Sequence, residues 1–163
     1  MMESISARQS FQYQIGHATS AEILKHLQAC SAQFRPPLTD RVDLPQYAKK
    51  LFSRSVTFEA WRGKKLIGLV ACYVDQQAQP ASAFVSNVSV LWEYRSKGIA
   101  RRLMLRCHDE VEQRGVQVIS LEVSDNNVPA IGLYTKLGYI KTATNSSDLL
   151  MQLSFEQKSK PGT

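Results

Sequence analysis

The stretch Val88–Leu103, VSVLWEYRSKGIARRL, constrains the fold more than any other part of the chain. Val88 and Val90 alternate with polar residues as a strand does, a short polar turn follows, and helical spacing begins near Gly98 without interruption. The pattern predicts strand, turn and helix in direct succession. Such a turn aims consecutive backbone N–H groups at one point, and the helix start behind it adds a partial positive charge, so an anion site is expected there. Arg95, Lys97, Arg101 and Arg102 add full positive charges around it, and phosphate is the natural guest. A turn glycine beside a solvated arginine face gives the same residues a purely structural reading. Neither Gly-x-x-x-x-Gly-Lys-Ser/Thr nor Gly-x-Gly-x-x-Gly is present, which argues against nucleotide-hydrolysing and dinucleotide-dehydrogenase chemistry.

With 163 residues and 44% hydrophobic content, residues 1–163 are expected to form one domain with a real core, frayed at 1–9 and 158–163. A formal net charge of +6 favours anionic partners without choosing among them. Cys30, Cys72 and Cys107 lack metal-ligand spacing and sit in apolar patterns that suit small buried thiols, as in a reducing cytoplasm. No apolar run reaches membrane-spanning length, and the first residues lack a signal peptide's apolar core, so no membrane partner is expected.

Read in order, Phe11 to Ile15 alternate as a first strand. Thr19-Ser20-Ala21-Glu22 has the form of a capping box ahead of Ile23, Leu24, Leu27 and Cys30 at helical spacing. Pro36 and Pro37 stop that helix, leaving an irregular loop before a second one that starts with Asp43 as N-cap and Pro45 in its first turn, and buries Leu44, Tyr47, Ala48, Leu51 and Phe52. Val56 to Trp61 and Leu66 to Val74 flank Arg62-Gly63-Lys64-Lys65 as a hairpin, and Phe84 to Leu91 feeds the central turn. The helix behind that turn buries Ile99, Leu103, Met104, Cys107 and Val111 and stops at Gly115. Val116 to Val123 follows as a strand parallel to the one before the turn. A last helix opens at Ser124-Asp125-Asn126-Asn127, ends at Gly138 and is followed by strands at Tyr139–Ala143 and Leu149–Phe155.

The motif Gln/Arg-x-x-Gly-x-Gly/Ala is met by Arg95, Gly98 and Ala100, and a second signature follows at Leu121-Glu122-Val123, Asn127, Ala130, Ile131, Leu133-Tyr134 and Leu137-Gly138-Tyr139. With these, the chain resembles the GNAT superfamily of acyl-CoA-dependent N-acetyltransferases, sharply from about Phe84 to Thr142 and diffusely before it. The resemblance implies an α/β (α+β) fold with a mixed, mostly antiparallel sheet of about seven strands, a splayed parallel pair formed by the fourth and fifth, and four helices. It also implies acetyl-CoA as co-substrate, while the spacing of the histidines and cysteines gives no expectation of a metal. The pyrophosphate would rest on the backbone amides of Ser96, Lys97, Gly98, Ile99, Ala100 and Arg101, and pantetheine would run along Val88 and Val90. A main-chain N–H near Val88 would polarise the thioester carbonyl.

Three further residues carry two readings each. Asn127 is a helix N-cap, a cofactor contact, or both. Tyr134 is a core aromatic or the proton donor to the departing thiolate, for which a phenol's reference pKa near 10 is suited. Glu122 lies twelve residues before Tyr134, a spacing similar to the acid-base pair of bacterial ribosomal-protein acetyltransferases, and is either the general base or a solvated side chain. Many family members place an acidic residue early in the fourth strand, where this chain has Ser86-Asn87, so a water chain is the alternative base. Trp92 is expected to pack at the strand end. His17, His26 and His108 have no partner spacing and no catalytic role is expected of them.

The expected activity is acetyl transfer to a primary amine by direct attack in a ternary complex, in the cytoplasm, from a monomer or homodimer. The acceptor is framed by Phe34–Leu38 and the loop before the last strand. It is a small amine or a peptide amine, with a slight lean to the small amine. A non-catalytic CoA-binding regulator is one rival. A basic nucleic-acid-binding module is another, but it needs aromatic and basic residues interleaved on one exposed surface, whereas the charges gather around one turn, so no nucleic-acid partner is expected.

Overall fold

The computed structural model describes residues 10–34 and 36–155. Seven strands, β1 (Gln12–Ile15), β2 (Val56–Arg62), β3 (Lys65–Asp75), β4 (Ser82–Val90), β5 (Val118–Ser124), β6 (Ile140–Asn145) and β7 (Asp148–Ser154), form one sheet in the order β1-β2-β3-β4-β5-β7-β6. Five α-helices accompany them: α1 (Ser20–Cys30), α2 (Leu38–Arg41), α3 (Leu44–Arg54), α4 (Ile99–Gln113) and α5 (Val128–Lys136). The β4/β5 pair is parallel, as a strand-helix-strand crossover requires. The expected architecture is therefore present, with one helix added. That helix, α2, is a single turn that starts directly after Pro37, where a missing N–H costs nothing. The expected fraying at 1–9 and 158–163 lies outside the described residues, as does Arg35.

The described residues divide into two compact units, one made of residues 10–34 and 36–71 with Asn87–Arg106, the other of Cys72–Ser86 with residues 107–155. In the first, Thr19 and Glu22 close the capping box of α1 from both sides, and Asp43 accepts the Gln46 N–H at the start of α3. Leu44, Ala48 and Leu51 are buried as expected, but Phe52 is 54% exposed. It falls on the outer flank of α3, next to Leu51 rather than one turn from it, so the apolar stripe is narrower than the composition suggests. A buried carboxylate organises the approach to α1. Glu59 on β2 accepts the backbone N–H groups of His17 and Ala18, the Thr57 hydroxyl at 2.6 Å and the Trp61 indole at 3.1 Å.

A second buried polar chain links α1, β3 and β4. The His26 imidazole meets Leu66 O through Nδ1 and Ser89 Oγ through Nε2, both at 2.9 Å, and Asn87 Nδ2 donates to Ser89 Oγ at 2.8 Å and Leu69 O at 3.3 Å. A carbonyl can only accept, so the proton sits on Nδ1 and the Ser89 hydroxyl donates to Nε2. Burial pushes the His26 pKa down to about 4, with the hydrogen bond to Leu66 opposing it.

The second unit holds the β4/β5 register from Ser82↔Val118 to Val85↔Leu121, and β5 pairs β7 along its whole length. Tyr139, Ile119, Leu121 and Val111 are buried there. Its buried histidine, His108, bonds the Tyr139 hydroxyl through Nε2 at 2.8 Å, and burial pushes its pKa down to about 4.

Two outcomes follow for stability. Glu59→Leu removes the acceptor for the buried Ala18 N–H and the part-buried His17 N–H, as well as for the Thr57 hydroxyl and the Trp61 indole, and lowers the unfolding free energy in urea by about 3 kcal/mol or more. His26 and His108 both take up protons more readily when unfolded, so stability is complete above about pH 6.5 and declines as the pH falls toward 4, by up to about 3 kcal/mol for each. Urea midpoints at pH 7 and pH 4.5 measure the decline, and a flat profile would remove this origin for it.

Candidate active site

The strand-turn-helix falls in the first unit. β4 ends at Val90, Leu91 N–H bonds Ile67 O at 2.8 Å, a 3-10 turn covers Trp92–Tyr94, and α4 begins at Ile99. Between them Ser96 has φ 63° and Gly98 φ 76°, two left-handed residues flanking Lys97. The first helical bond runs from Arg102 N–H to Gly98 O, so the N–H groups of Ile99, Ala100 and Arg101 have no acceptor within the helix. A Cβ built at Gly98 would meet nothing within 4 Å, which leaves open space over the turn. Amides without helical acceptors, a helix start and free space together fit a diphosphate.

The close seating of α4 comes from a residue the sequence reading passed over. A Cβ at Gly68 on β3 would lie 2.9 Å from Ile99 Cγ2, 3.2 Å from Leu103 Cδ1 and 3.4 Å from Ala60 Cβ. Only glycine lets the first turns of α4 come this near β3. A glycine inside an apolar strand run was the available signal.

The arginines are placed differently from expectation. The Arg95 guanidinium donates to Gln33 Oε1 at 2.8 Å and lies over Trp92 at 5.1 Å, and Arg102 lies over the Tyr13 ring at 5.2 Å. Both side chains are thus engaged elsewhere, while the Arg95 backbone still forms part of the turn. Lys97 and Arg101 are exposed. Trp92, expected to be packed, is 68% exposed, because the 3-10 turn carries it outward past the end of β4. Val88 is half-buried and Val90 buried. Asn87 is committed to Leu69 O and Ser89.

Glu122, Asn127 and Tyr134 fall in the second unit. Glu122 is exposed on β5, opposite Leu150 of β7. Asn127 caps α5 by accepting the Ala130 N–H at 3.3 Å, so its capping role is real. Tyr134 is 6% exposed, with its ring 5.8 Å from that of Tyr139. Burial pushes the Tyr134 hydroxyl up to about 12, so it keeps its proton across the neutral range. All three cysteines are buried and free, and burial pushes the Cys30 thiol up to about 11.

The model of the acetyltransferase (GNAT) family matches residues 21–139, which include both the turn and the second signature. The chain belongs to the GNAT acetyltransferase family. It is similar to the [ribosomal protein bS18]-alanine N-acetyltransferase of Escherichia coli strain K12, 36% identical over 72 residues that make up 44% of this chain and 49% of the relative. It is also similar to the N-alpha-acetyltransferase MAK3 of Arabidopsis thaliana, 29% identical over 52% of this chain and 44% of that protein. The matches thus span about half the length of these curated relatives. Among solved structures, the ribosomal-protein-S18-alanine N-acetyltransferase from Escherichia coli superposes with a TM-score of 0.73 at 22% identity, covering 92% of this chain and 98% of that one. The PaiA N-acetyltransferase from Thermoplasma acidophilum, in complex with coenzyme A, superposes with a TM-score of 0.70 at 15% identity, covering 90% and 100%. These two likenesses carry the GNAT fold. Among the described residues, no group of three or more His, Cys, Asp or Glu is placed to hold a metal ion, and no helix is long and apolar enough to cross a membrane.

For this GNAT chain, Gly98→Val tests the turn directly. The open space admits the side chain, while the left-handed φ strains it by about 1–2 kcal/mol, so the variant folds with a slightly lower melting temperature. Acetyl-CoA raises the melting temperature of the wild type and not of the variant. An equal rise in both would show that the turn does not hold the ligand.

Proposed function

We propose that the chain transfers the acetyl group of acetyl-CoA to the α-amino group of a peptide or protein, by direct attack in a ternary complex. The observation that carries this reading is the open left-handed turn at Ser96–Gly98, followed by helix-start amides that have no acceptor within the helix, which suits a diphosphate. The acceptor class follows the relatives, whose names specify a ribosomal-protein alanine and N-alpha acetylation, and it replaces the slight lean toward a small amine.

In this reading the amides from Ser96 to Arg101 hold the diphosphate, and the edge of β4 at Val88 and Val90 guides the pantetheine arm. The bound co-substrate supplies an activated thioester. The Val88 N–H polarises its carbonyl. The acceptor amine attacks once it is neutral, and the exposed Glu122 carboxylate, directly or through water, takes its proton. Asn127 adds a cofactor contact to its capping role. Tyr134 donates to the leaving sulfur. A hydroxyl near pKa 12 is a weaker acid than a thiol, whose reference value in cysteine is about 8.5, so its donation acts first as a hydrogen bond to the developing thiolate and completes late. A buried, protonated Cys30 takes no part, in keeping with direct attack. Cytoplasmic residence fits three free thiols.

A thiol-release assay across Ala-initiated peptides, polyamines and amino sugars tests the acceptor class, and the peptides are expected to turn over fastest. Tyr134→Phe lowers kcat by about a hundredfold and keeps the acetyl-CoA melting shift. No alkaline loss of activity from Tyr134 ionisation appears below about pH 10.5. Wild-type turnover in Tyr134→Phe removes the donor role, and turnover confined to small amines removes the acceptor class.

A further inference from the structure

The arginines turned away from the anion turn build a surface of their own. Arg102 and Arg106, one helical turn apart on α4, lie over the Tyr13 ring of β1 at 5.2 and 5.0 Å. Two residues back along the same strand line, Phe11 meets Tyr94 edge-on at 5.9 Å, and Arg62 lies over Tyr94 at 6.0 Å. Only Gln12 separates Phe11, just before β1, from Tyr13 within it, so the two clusters adjoin along the chain. The stripe extends along the 3-10 turn to Trp92, 68% exposed, with Arg95 over its ring at 5.1 Å. Among the described residues none of these arginines is in an ion pair, and the salt bridge found there joins Arg114 to Glu110 at 2.8 Å. β1 is the terminal strand of the sheet.

We propose that this face binds single-stranded nucleic acid. It meets the condition whose apparent absence from the sequence led to the expectation of no nucleic-acid partner: aromatic and basic residues alternate on one surface. Guanidiniums without carboxylate partners attract phosphodiesters, and rings and guanidinium planes offer stacking faces to unpaired bases. An acidic peptide would use the charge and leave the exposed indole idle. A duplex would present phosphates while its bases stay stacked inside. A single strand uses both features. RNA and DNA share this chemistry, and the sugar decides between them.

The test uses the full chain and fluorescein-labelled twelve-nucleotide oligo(U) and oligo(dU), which differ in the sugar alone, read by anisotropy. Four phosphate contacts give a log–log salt slope near −2.8, or about a fiftyfold loss of affinity between about 50 and about 200 mM salt. Tyr13→Ala combined with Arg62→Ala and Arg106→Ala weakens binding at least about tenfold and leaves the acetyl-CoA melting shift intact. If that combination does not fold, Arg62→Gln with Arg106→Gln, which keeps the rings, is expected to lose about fivefold. Saturating CoA leaves binding unchanged. Tighter binding of either oligonucleotide supports the proposal and names its sugar. No binding at about 50 mM salt, equal binding by the variants, displacement by CoA, or equal competition by polyglutamate or duplex DNA overturns it. None of these outcomes depends on acetyl transfer, so this proposal and the proposed enzymatic function fail separately.

Discussion

The near approach of α4 to β3 at Gly68 sets the geometry on which the turn between β4 and α4 depends. Ile99, whose Cγ2 would be 2.9 Å from any Cβ added at Gly68, is the first helical residue and directly follows Gly98. The height of the helix start above the sheet is thus fixed by a missing side chain one layer below. A larger residue would have to lift Ile99, and with it the amides of Ala100 and Arg101. The left-handed conformations of Ser96 and Gly98 complete the arrangement by bending the chain from the end of β4 into the helix within a few residues.

Charge in the first unit is split between two kinds of device. At the turn, partial charges on backbone N–H groups and the helix start face open space, with exposed Lys97 and Arg101 as mobile additions. Elsewhere, whole guanidiniums lie over rings, where ring contact restrains them without neutralising them. A fixed backbone site discriminates by shape and distance. A row of guanidiniums discriminates weakly and responds strongly to salt. The net charge of +6 gives no hint of this division, because it counts both alike.

What the sequence revealed was mostly local. Thr19, Asp43 and Asn127 act as caps because each accepts a backbone N–H three residues on, a relation written in consecutive positions. The turn at Arg95–Gly98 and the helix stops at Gly115 and Gly138, both left-handed, were visible for the same reason. What escaped depends on partners far along the chain. Glu59 looked like the polar half of an alternating strand, yet it is buried because residues 41 and 42 positions earlier bring it their N–H groups. Phe52 and Trp92 looked like core and are exposed, since whether a large ring is covered depends on which elements arrive over it. Arg95 and Arg102 were assigned to the anion by proximity in sequence, whereas Gln33, Trp92 and Tyr13 compete for them in space.

In the chain from Leu69 through Asn87, Ser89 and His26 to Leu66 the direction of every bond is fixed, running outward from the Asn87 amide to a carbonyl at each end. Both ends are carbonyls, so every proton along it points a set way, and no link can reverse without leaving two donors or two acceptors face to face. Sliding β4 by two residues against β3 would preserve the alternation of inward and outward side chains, and hydrophobic burial alone would tolerate the shift. The hydrogen-bond polarity would not. Asn87 and Ser89 therefore act as an alignment key: they make one offset of the strand unique among those its apolar pattern permits, and with it the point at which the chain leaves the sheet to begin the turn.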